Sequence, residues 1–155
     1  MVKPSDAGNI GLLRLIAQRL AGPGFDDAAD TVRWMTAIQA QDYAGAVLSV
    51  ALRTASRDRK AVYEALDSGA VVRSWTMRGT LHFVAAEDLS WMTTLTSERL
   101  IARAVKLHDH LGIDAKTIGR AREVAIENLS GHRRLTRTQL LAHWEKAGFG
   151  DVKQQ

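Results

Sequence analysis

The sequence contains no cysteine in its 155 residues. This absence excludes disulfide bonds, thiolate catalysis and zinc fingers, and it fits a reducing compartment. Long apolar runs are missing as well: none approaches the ~18–20 residues that a membrane span needs, and Arg14, Gln18 and Arg19 interrupt the N-terminal apolar segment at helical spacing. No secretory signal is visible. We therefore expect a cytoplasmic protein with no membrane partner.

The sequence also lacks the motifs of several enzyme classes. No serine lies in a G-x-S-x-G turn, and there is no P-loop or Rossmann glycine pattern, which argues against a serine hydrolase and a nucleotide-cofactor enzyme. His108 and His110 flank Asp109, but i, i+2 spacing on a helix points them apart and a third ligand is not evident. We expect neither a cofactor nor a metal.

What the sequence does contain indicates a folded, mildly basic domain. Hydrophobic residues make up 46% of the chain, which allows one compact domain or two very small ones. The formal net charge is +4 and the sequence pI about 9.8. A basic excess suits a nucleic-acid partner, although many ordinary enzymes are equally basic.

Helical periodicity and helix-ending signals divide most of the chain into helices. Residues 1–8 are predicted to be a flexible arm, and Asn9, Ser56 and Asp114 are predicted N-caps. Residues 86–112 fit one long helix or two short ones. The other predicted helices cover 9–20, 27–40, 44–53, 57–68, 115–129 and 137–147.

One segment, residues 70–84, has the composition of β-structure. AVVRSWTMRGTLHFV is rich in β-branched and aromatic residues and has a glycine near its middle, and on each side of Met77–Gly79 its residues divide into two alternating sets, one for each strand face. This pattern predicts a two-stranded hairpin that turns near those residues. Trp75 shares a strand face with Arg73, and we expect it to anchor the hairpin to the core.

Together these elements predict a mainly α fold with a small β-hairpin. Several helices followed by a hairpin is the order of a winged helix–turn–helix domain, here residues 9–112. Residues 113–155 supply two predicted helices but neither a third helix nor a hairpin. We therefore expect these residues to form an incomplete second winged-helix-like unit, and the chain to be the N-terminal part of a longer protein. The alternative is that the last two helices complete one helical domain.

Three phrases in this order carry a family resemblance: IQAQDYAGA (38–46), VVRSWTMRGTLHFV (71–84) and AAEDLSWM (85–92). The chain resembles, over about residues 9–147, the winged-helix DNA-binding proteins that include the AlkZ/YcaQ-like DNA glycosylases. Members are longer and are built of tandem winged-helix units around a concave DNA-binding face. Characterised members remove bulky or cationic N7-alkylated purines, including cross-linked ones, without a metal or organic cofactor. Many relatives are known only as DNA-binding proteins.

The resemblance implies that Gln39 and Gln41 are the catalytic residues, since the family uses a Gln-x-Gln or Gln-x-Asp motif. An N7-alkylated guanine is already cationic, so the enzyme needs only to hold a water and stabilise a cationic sugar, which amides can do. Residues i and i+2 lie about 200° apart on a helix, so joint action requires the helix to end or distort between them. Alternatively, Gln41 is a surface residue and Gln39 a satisfied buried amide.

The resemblance implies that the partner is double-stranded DNA, including alkylated or cross-linked DNA. Cationic side chains are the predicted contacts to this DNA. Arg78 lies in the predicted turn, where the hairpin tip can enter a groove. His82 alternates with apolar residues, so a structural role is an equal alternative. Positive charge at the start of a helix is unfavourable for the helix dipole, which hints at a phosphate partner, although a solvated face is the commoner reason. The predicted DNA-binding residues are Arg57, Arg59, Lys60, Arg73, Arg78, His82, Arg133 and Arg134.

Three functions therefore remain open. The first is a DNA glycosylase, or a part of one. The second is a non-catalytic winged-helix DNA-binding or regulatory module whose glutamines are structural, and the third is a helical interaction domain without DNA. An open groove containing both amides favours the first, and glutamines buried against the core favour the second. The sequence leaves the oligomeric state and the lesion undecided.

Overall fold

A computed structural model describes the backbone of residues 4–131 and 133–149, with side chains from residue 9 onward. Within these ranges the chain is mainly helical, with one small antiparallel sheet. The helices are α1 (Pro4–Ala17), α2 (Ala28–Met35), α3 (Tyr43–Ala51), α4 (Arg59–Ser68), α5 (Leu89–His110), α6 (Ala115–Leu129) and α7 (Arg137–Trp144). The strands are β1 (Ile38–Gln39), β2 (Val71–Met77) and β3 (Thr80–Ala85). A 3₁₀ turn, Ala86–Asp88, precedes α5, and a π turn, Glu145–Phe149, follows α7.

Most helix ends follow local capping chemistry. The Asp114 side chain accepts from the Thr117 N–H and caps α6 as predicted. Helix α4 is capped by Asp58, which accepts from the Lys60 N–H, and not by the predicted Ser56. Helix α1 begins at Pro4, ahead of the predicted start at Asn9, and residues 1–3 of the predicted arm lie outside the described residues.

The prediction that α2 continues to residue 40 was wrong. The helix ends at Met35, and Thr36 takes a positive φ of 65°. Ile38 and Ala40 are buried while Gln39 is exposed, which is the alternation of a strand. The short β1 strand pairs with β3, because the outer edge of that strand has backbone groups that need partners.

The predicted hairpin is confirmed, and it belongs to a three-stranded sheet in the order β1-β3-β2. Arg73 pairs with Phe83, and Trp75 with Leu81. Arg78 and Gly79 form the turn with φ of 52° and 75°, the two positive values that a two-residue type I′ turn requires. A register shift between Trp75 and Met77 marks a β-bulge, which bends the end of the hairpin.

The hydrophobic core lies in the first of two compact units, residues 1–100. Helices α2, α3 and α4 pack with the sheet around Phe83, which is fully buried. Small and β-branched side chains fill the rest of the core, so the three helices and the sheet approach closely. The core residues are Ala28, Ala29, Val32, Ile38, Ala40, Ala46, Val47, Val50, Ala51, Val62, Val71 and Phe83.

The second unit, residues 101–155, contains the end of α5, α6, α7 and the π turn. None of its described residues is buried. The Trp144 indole N–H donates to the Ala121 carbonyl at 2.8 Å and joins α7 to α6. Thr136 and Gln139 form a reciprocal capping box at the start of α7.

No helix in the described part of the chain is both long enough and apolar enough to cross a bilayer.

Candidate functional site

An open groove of about 380 Å³ lies at the junction of β1 and α3 in the first unit. It is lined by residues of one continuous segment, from the strand into the first two turns of the helix. Both predicted catalytic residues belong to it. The lining residues are Ile38, Gln39, Gln41, Asp42, Gly45, Ala46 and Ser49.

The extended backbone explains how Gln39 and Gln41 reach the same groove. Residues i and i+2 of a strand point to the same side, whereas on a helix they would diverge. Ala40 between them is fully buried and fixes the segment against the core. From the sequence, joint action was expected to require a helix that ends or distorts between the two glutamines. The helix instead ends at Met35, before both of them.

Gln39 is exposed, so it is not a satisfied buried amide. Its backbone pairs with that of His82 in the sheet. Within the described residues its side-chain amide has no hydrogen-bond partner. Both the carbonyl oxygen and the NH₂ group of Gln39 are therefore available to a ligand in the groove.

Gln41 has one end of its amide occupied. Its Oε1 accepts a hydrogen bond from the Leu81 N–H at 3.2 Å. A backbone N–H can bond only to an acceptor, so this contact determines which way the amide points. The Nε2 group of Gln41, with two donors, remains on the other side.

Asp42 and Ser49 were missed by the sequence reasoning. Asp42 precedes α3 at the N-cap, yet its carboxylate makes no capping hydrogen bond. The carboxylate lies against Gly45, where an added Cβ would overlap Asp42 Oδ2. The signal was present in the sequence, because positions 42, 45 and 49 share one face of a helix that begins next to Gln41.

A buried arginine lies beside Ser49. Arg53 is 6% exposed, and its Nη1 donates to the Ser49 carbonyl at 2.7 Å and to Ser49 Oγ at 3.0 Å. Burial lowers the pKa of the Arg53 guanidinium. Its Nε donates to the Gln18 carbonyl at 2.9 Å, so its hydrogen bonds join α3 to the end of α1.

Arg73 is directed at the glutamine segment. Its Nε and Nη2 donate to the Ala40 carbonyl at 2.9 and 2.7 Å, and Nη2 also reaches the Gln41 carbonyl at 3.3 Å. The guanidinium lies 5.5 Å from the centre of the Tyr43 ring, within cation–π distance. The structure therefore brings together Gln39, Gln41 and Arg73.

Two hairpin residues differ from what their sequence positions indicated. Trp75 is 62% exposed and does not anchor the hairpin to the core, so that prediction was wrong. The bulge next to Trp75 lies near the turn end of β2, where Thr76 is buried and Trp75 is not. His82 is 3% exposed, and its Nδ1 lies 2.9 Å from the Thr80 carbonyl oxygen. A buried ring next to a backbone carbonyl corresponds to the structural role that the sequence allowed for this histidine, and not to a DNA contact.

The remaining predicted DNA contacts fall into three exposed groups. Arg78 lies in the hairpin turn. Arg59 and Lys60 begin α4 and Arg57 precedes its N-cap; Lys60 Nζ lies 3.6 Å from Glu64 Oε1. Arg133 and Arg134 belong to the second unit; Arg133 Nε donates to the Ser130 carbonyl at 2.9 Å, and its Nη2 to the Glu127 carbonyl.

The described residues include no group of three or more histidine, aspartate or glutamate side chains placed to share a metal ion.

Comparison with known proteins identifies the family. Residues 32–155 match the family model described as DNA glycosylase AlkZ-like. A curated relative from Streptomyces sahachiroi, the "Interstrand DNA cross-link repair glycosylase", is 40% identical over 61 residues, which are 39% of this chain and 16% of the relative.

The solved structure of the Streptomyces sahachiroi DNA glycosylase AlkZ is similar to this chain with a TM-score of 0.67 and 25% identity. The similarity covers 86% of this chain and 37% of that protein, so the chain spans well under half the length of the relatives that it matches. The family model covers most of the chain, including the glutamine segment and the hairpin. The chain belongs to the AlkZ-like DNA glycosylase family.

Proposed function

We propose that this chain binds double-stranded DNA and takes part in hydrolysis of the N-glycosidic bond of N7-alkylated or cross-linked purines. The observation that carries the proposal is the shared groove, which both Gln39 and Gln41 line. Both glutamines fall inside the segment that matches the family model.

The proposed chemistry needs only weak acid–base groups. In an N7-alkylated purine nucleotide the C1′–N9 bond breaks with its electron pair passing to the cationic base, which leaves neutral. Water then forms the new bond to C1′ and gives up a proton. The free Gln39 carbonyl can accept from this water, and the Asp42 carboxylate, which shares the groove, is the group there able to receive the proton.

The DNA-binding part of the proposal rests on the order of elements. Helix α2, strand β1, helices α3 and α4 and the β2–β3 hairpin follow the order of a winged helix–turn–helix domain. In such domains the second helix of the helix–turn–helix pair enters the major groove with its N-terminal residues near the bases. Here that helix is α4, and Arg57, Arg59 and Lys60 lie at its start.

The hairpin is the proposed second contact. Arg78 at its turn is suited to a phosphate, and the exposed Trp75 is suited to stack on a base or enter the minor groove. Arg133 and Arg134 in the second unit remain predicted backbone contacts, and the incomplete second winged-helix-like unit also remains a prediction. His82, being buried, reaches DNA only if the hairpin rearranges.

A non-catalytic DNA-binding module is the second candidate, and one observation favours it. Gln41 Oε1 bonds to the Leu81 N–H at the end of the β1–β3 pairing, so Gln41 has a structural role whether or not chemistry occurs. In this alternative the groove is a consequence of the strand-to-helix turn.

The deciding experiment uses duplex DNA with a single N7-methylguanine at low salt. Base release and DNA affinity are measured for the wild-type chain, for the Gln39→Ala, Gln41→Ala double variant, and for Gln18→Ala as an exposed glutamine outside the groove. We expect the double variant to lose release by at least about 100-fold with affinity within about twofold, and Gln18→Ala to match wild type. Binding without release in the wild-type chain would contradict hydrolysis and support the module.

A further inference from the structure

We propose that Arg73 is a positioning residue that makes the two glutamines unequal, with Gln41 fixed as a hydrogen-bond donor and Gln39 left as the acceptor for water. This inference rests on the proposed function. It assigns Arg73 a role other than the predicted phosphate contact. Its evidence is the set of hydrogen bonds that links β1, β2 and β3 around residues 40 and 41.

The first step is the use of the Ala40 carbonyl. In a continuing antiparallel ladder, Ala40 and Leu81 would exchange two backbone hydrogen bonds. The Ala40 N–H does donate to the Leu81 carbonyl at 2.7 Å. The Ala40 carbonyl instead accepts two bonds from the Arg73 guanidinium, at 2.9 and 2.7 Å. Arg73 therefore diverts the ladder at this position.

The second step is the consequence for Gln41. Because the Ala40 carbonyl is occupied by Arg73, the Leu81 N–H donates to Gln41 Oε1 instead, at 3.2 Å. An amide oxygen held in this way turns its NH₂ group away from the sheet. Gln41 thus offers donors, which suit a phosphate, deoxyribose or water oxygen. Of the two glutamines, Gln39, whose amide has no partner within the described residues, is the one whose oxygen can accept from water.

The third step is the reason that the residue is an arginine. Nε and Nη2 approach a single carbonyl together, and Nη2 also reaches the Gln41 carbonyl at 3.3 Å. The planar guanidinium also lies over the Tyr43 ring, the first residue of α3. A lysine ammonium has the charge but neither the fork nor the plane, so it cannot hold the strand and the helix start in the same arrangement.

The first test substitutes Arg73→Lys, with Arg33→Lys as the matched control. Arg33 is an exposed arginine of α2 whose guanidinium also bonds within the fold, to Asp30 and Glu87, away from the groove lining and the predicted DNA contacts. Hydrogen exchange of the Leu81 amide is followed by NMR, and base release and DNA affinity are measured on the N7-methylguanine duplex, after far-UV circular dichroism has confirmed folding. We expect Arg73→Lys to speed Leu81 exchange by at least about tenfold and to lower release by about 100-fold, with affinity within about twofold. Arg33→Lys should leave Leu81 exchange and release unchanged.

Two results would overturn the proposal. One is unchanged Leu81 exchange in Arg73→Lys. The other is a loss of affinity for Arg73→Met, accompanied by a decrease of about one in the salt dependence of binding, which is the sign of a phosphate contact. If the wild-type chain releases no base, the proposed function fails, and Leu81 exchange alone still decides whether Arg73 orients Gln41.

A second pair of variants tests the division of roles and does not depend on Arg73→Lys folding. Gln41→Glu keeps an oxygen for the Leu81 N–H but removes the donors, so Leu81 protection should persist while release falls about 100-fold. Gln39→Glu keeps an acceptor for water and should lose less release than Gln41→Glu. The reverse order would show that Gln39 is the donor and would overturn the assignment.

Discussion

The two units of the chain differ in what they do with their apolar residues. In the first unit, three helices and a sheet converge on Phe83 and bury a continuous core. In the second unit, the described apolar side chains remain partly or largely exposed, although those of α6 recur at helical spacing. The exposed ones are Ile101, Val105, Leu107, Leu111, Ile118, Ile126 and Leu129. Periodicity alone therefore indicates a helix and not the burial of its apolar face.

This difference separates two sources of stability. The first unit depends on long-range packing, which is costly to disturb because close-packed interiors relax only partly. The described part of the second unit depends on caps and on pairwise bonds such as that from Trp144 to Ala121. Both candidate catalytic residues and Arg73 belong to the first unit, where the backbone that positions them is held by the core.

The largest expected effect is on the core. Phe83→Ala should destabilise the chain by about 3–5 kcal/mol, because it removes a fully buried ring. Leu129→Ala in the second unit should cost less than about 1 kcal/mol, since Leu129 is already 41% exposed. Urea unfolding of both variants, followed by circular dichroism, measures the difference. Equal losses of unfolding free energy in the two variants would show that burial in the second unit contributes as much stability as the core of the first unit.

A second contrast concerns DNA affinity. Arg78 has no partner within the described residues, whereas the Arg133 guanidinium already donates to two backbone carbonyls. Arg78→Ala should lower the dependence of log affinity on log salt by about one, as expected for one lost phosphate contact, and Arg133→Ala should change it less. Titration of an undamaged duplex at several salt concentrations tests this. A larger change in salt dependence for Arg133→Ala than for Arg78→Ala would show that the principal phosphate contact lies in the second unit.

Helix caps should matter more visibly in α7, in which no described residue is buried, than in α4. Thr136→Ala removes the capping box of α7 and should cost about 1 kcal/mol of local stability. Because no described residue of α7 is buried, this loss should appear as faster amide exchange confined to that helix. Asp58→Ala removes the N-cap of α4, a helix that also buries Val62 in the core. Its loss should instead lower the midpoint of global unfolding, and fraying of α4 alone would contradict the comparison.

The smallest expected effect is a pH dependence of α6. Hydrogen bonds from the Thr117 side chain and then its backbone N–H lower the pKa of Asp114. A carboxyl group whose pKa is lowered in the folded state stabilises it at pH above about 4, its ordinary range, and loses this effect as the pH falls through the folded value. Asp114→Asn keeps a capping oxygen and should flatten the pH dependence of α6 amide exchange below about pH 4. An unchanged profile would exclude Asp114 as its source.

Much of the fold could be predicted because its signals are local. The hairpin follows from alternating β-branched residues around Arg78-Gly79, and the start of α6 follows from the Asp114 cap. The failures have tertiary causes. Ser56 and Asp58 are both suitable caps, and only the path of the chain selects Asp58. Trp75 was expected to anchor the hairpin, but the strand face that it shares with Arg73 is exposed at both residues, and only the tertiary packing decides which strand face is covered.

The candidate site shows the same division. Gln39, Gln41 and the cationic hairpin residues could be named from the sequence, since their types and order carry the family resemblance. Their geometry could not be, because the run before Gln39 has the apolar spacing of a helix. The open edge of β3 lies more than 40 residues further along the chain, and it is the backbone of this strand that pairs with residues 38 and 39.

The sequence by itself determined the presence of most of the helices, the hairpin, the absence of disulfides and the family. Those properties depend on residue types and on spacings of a few positions. Only the tertiary structure decided that Gln39 and Gln41 share one groove, that Arg73 holds the backbone between them, and that Gln41 is bonded through its oxygen. The physical reason is that every buried backbone group requires a partner, and the partners of residues 38–41 come from β2 and β3.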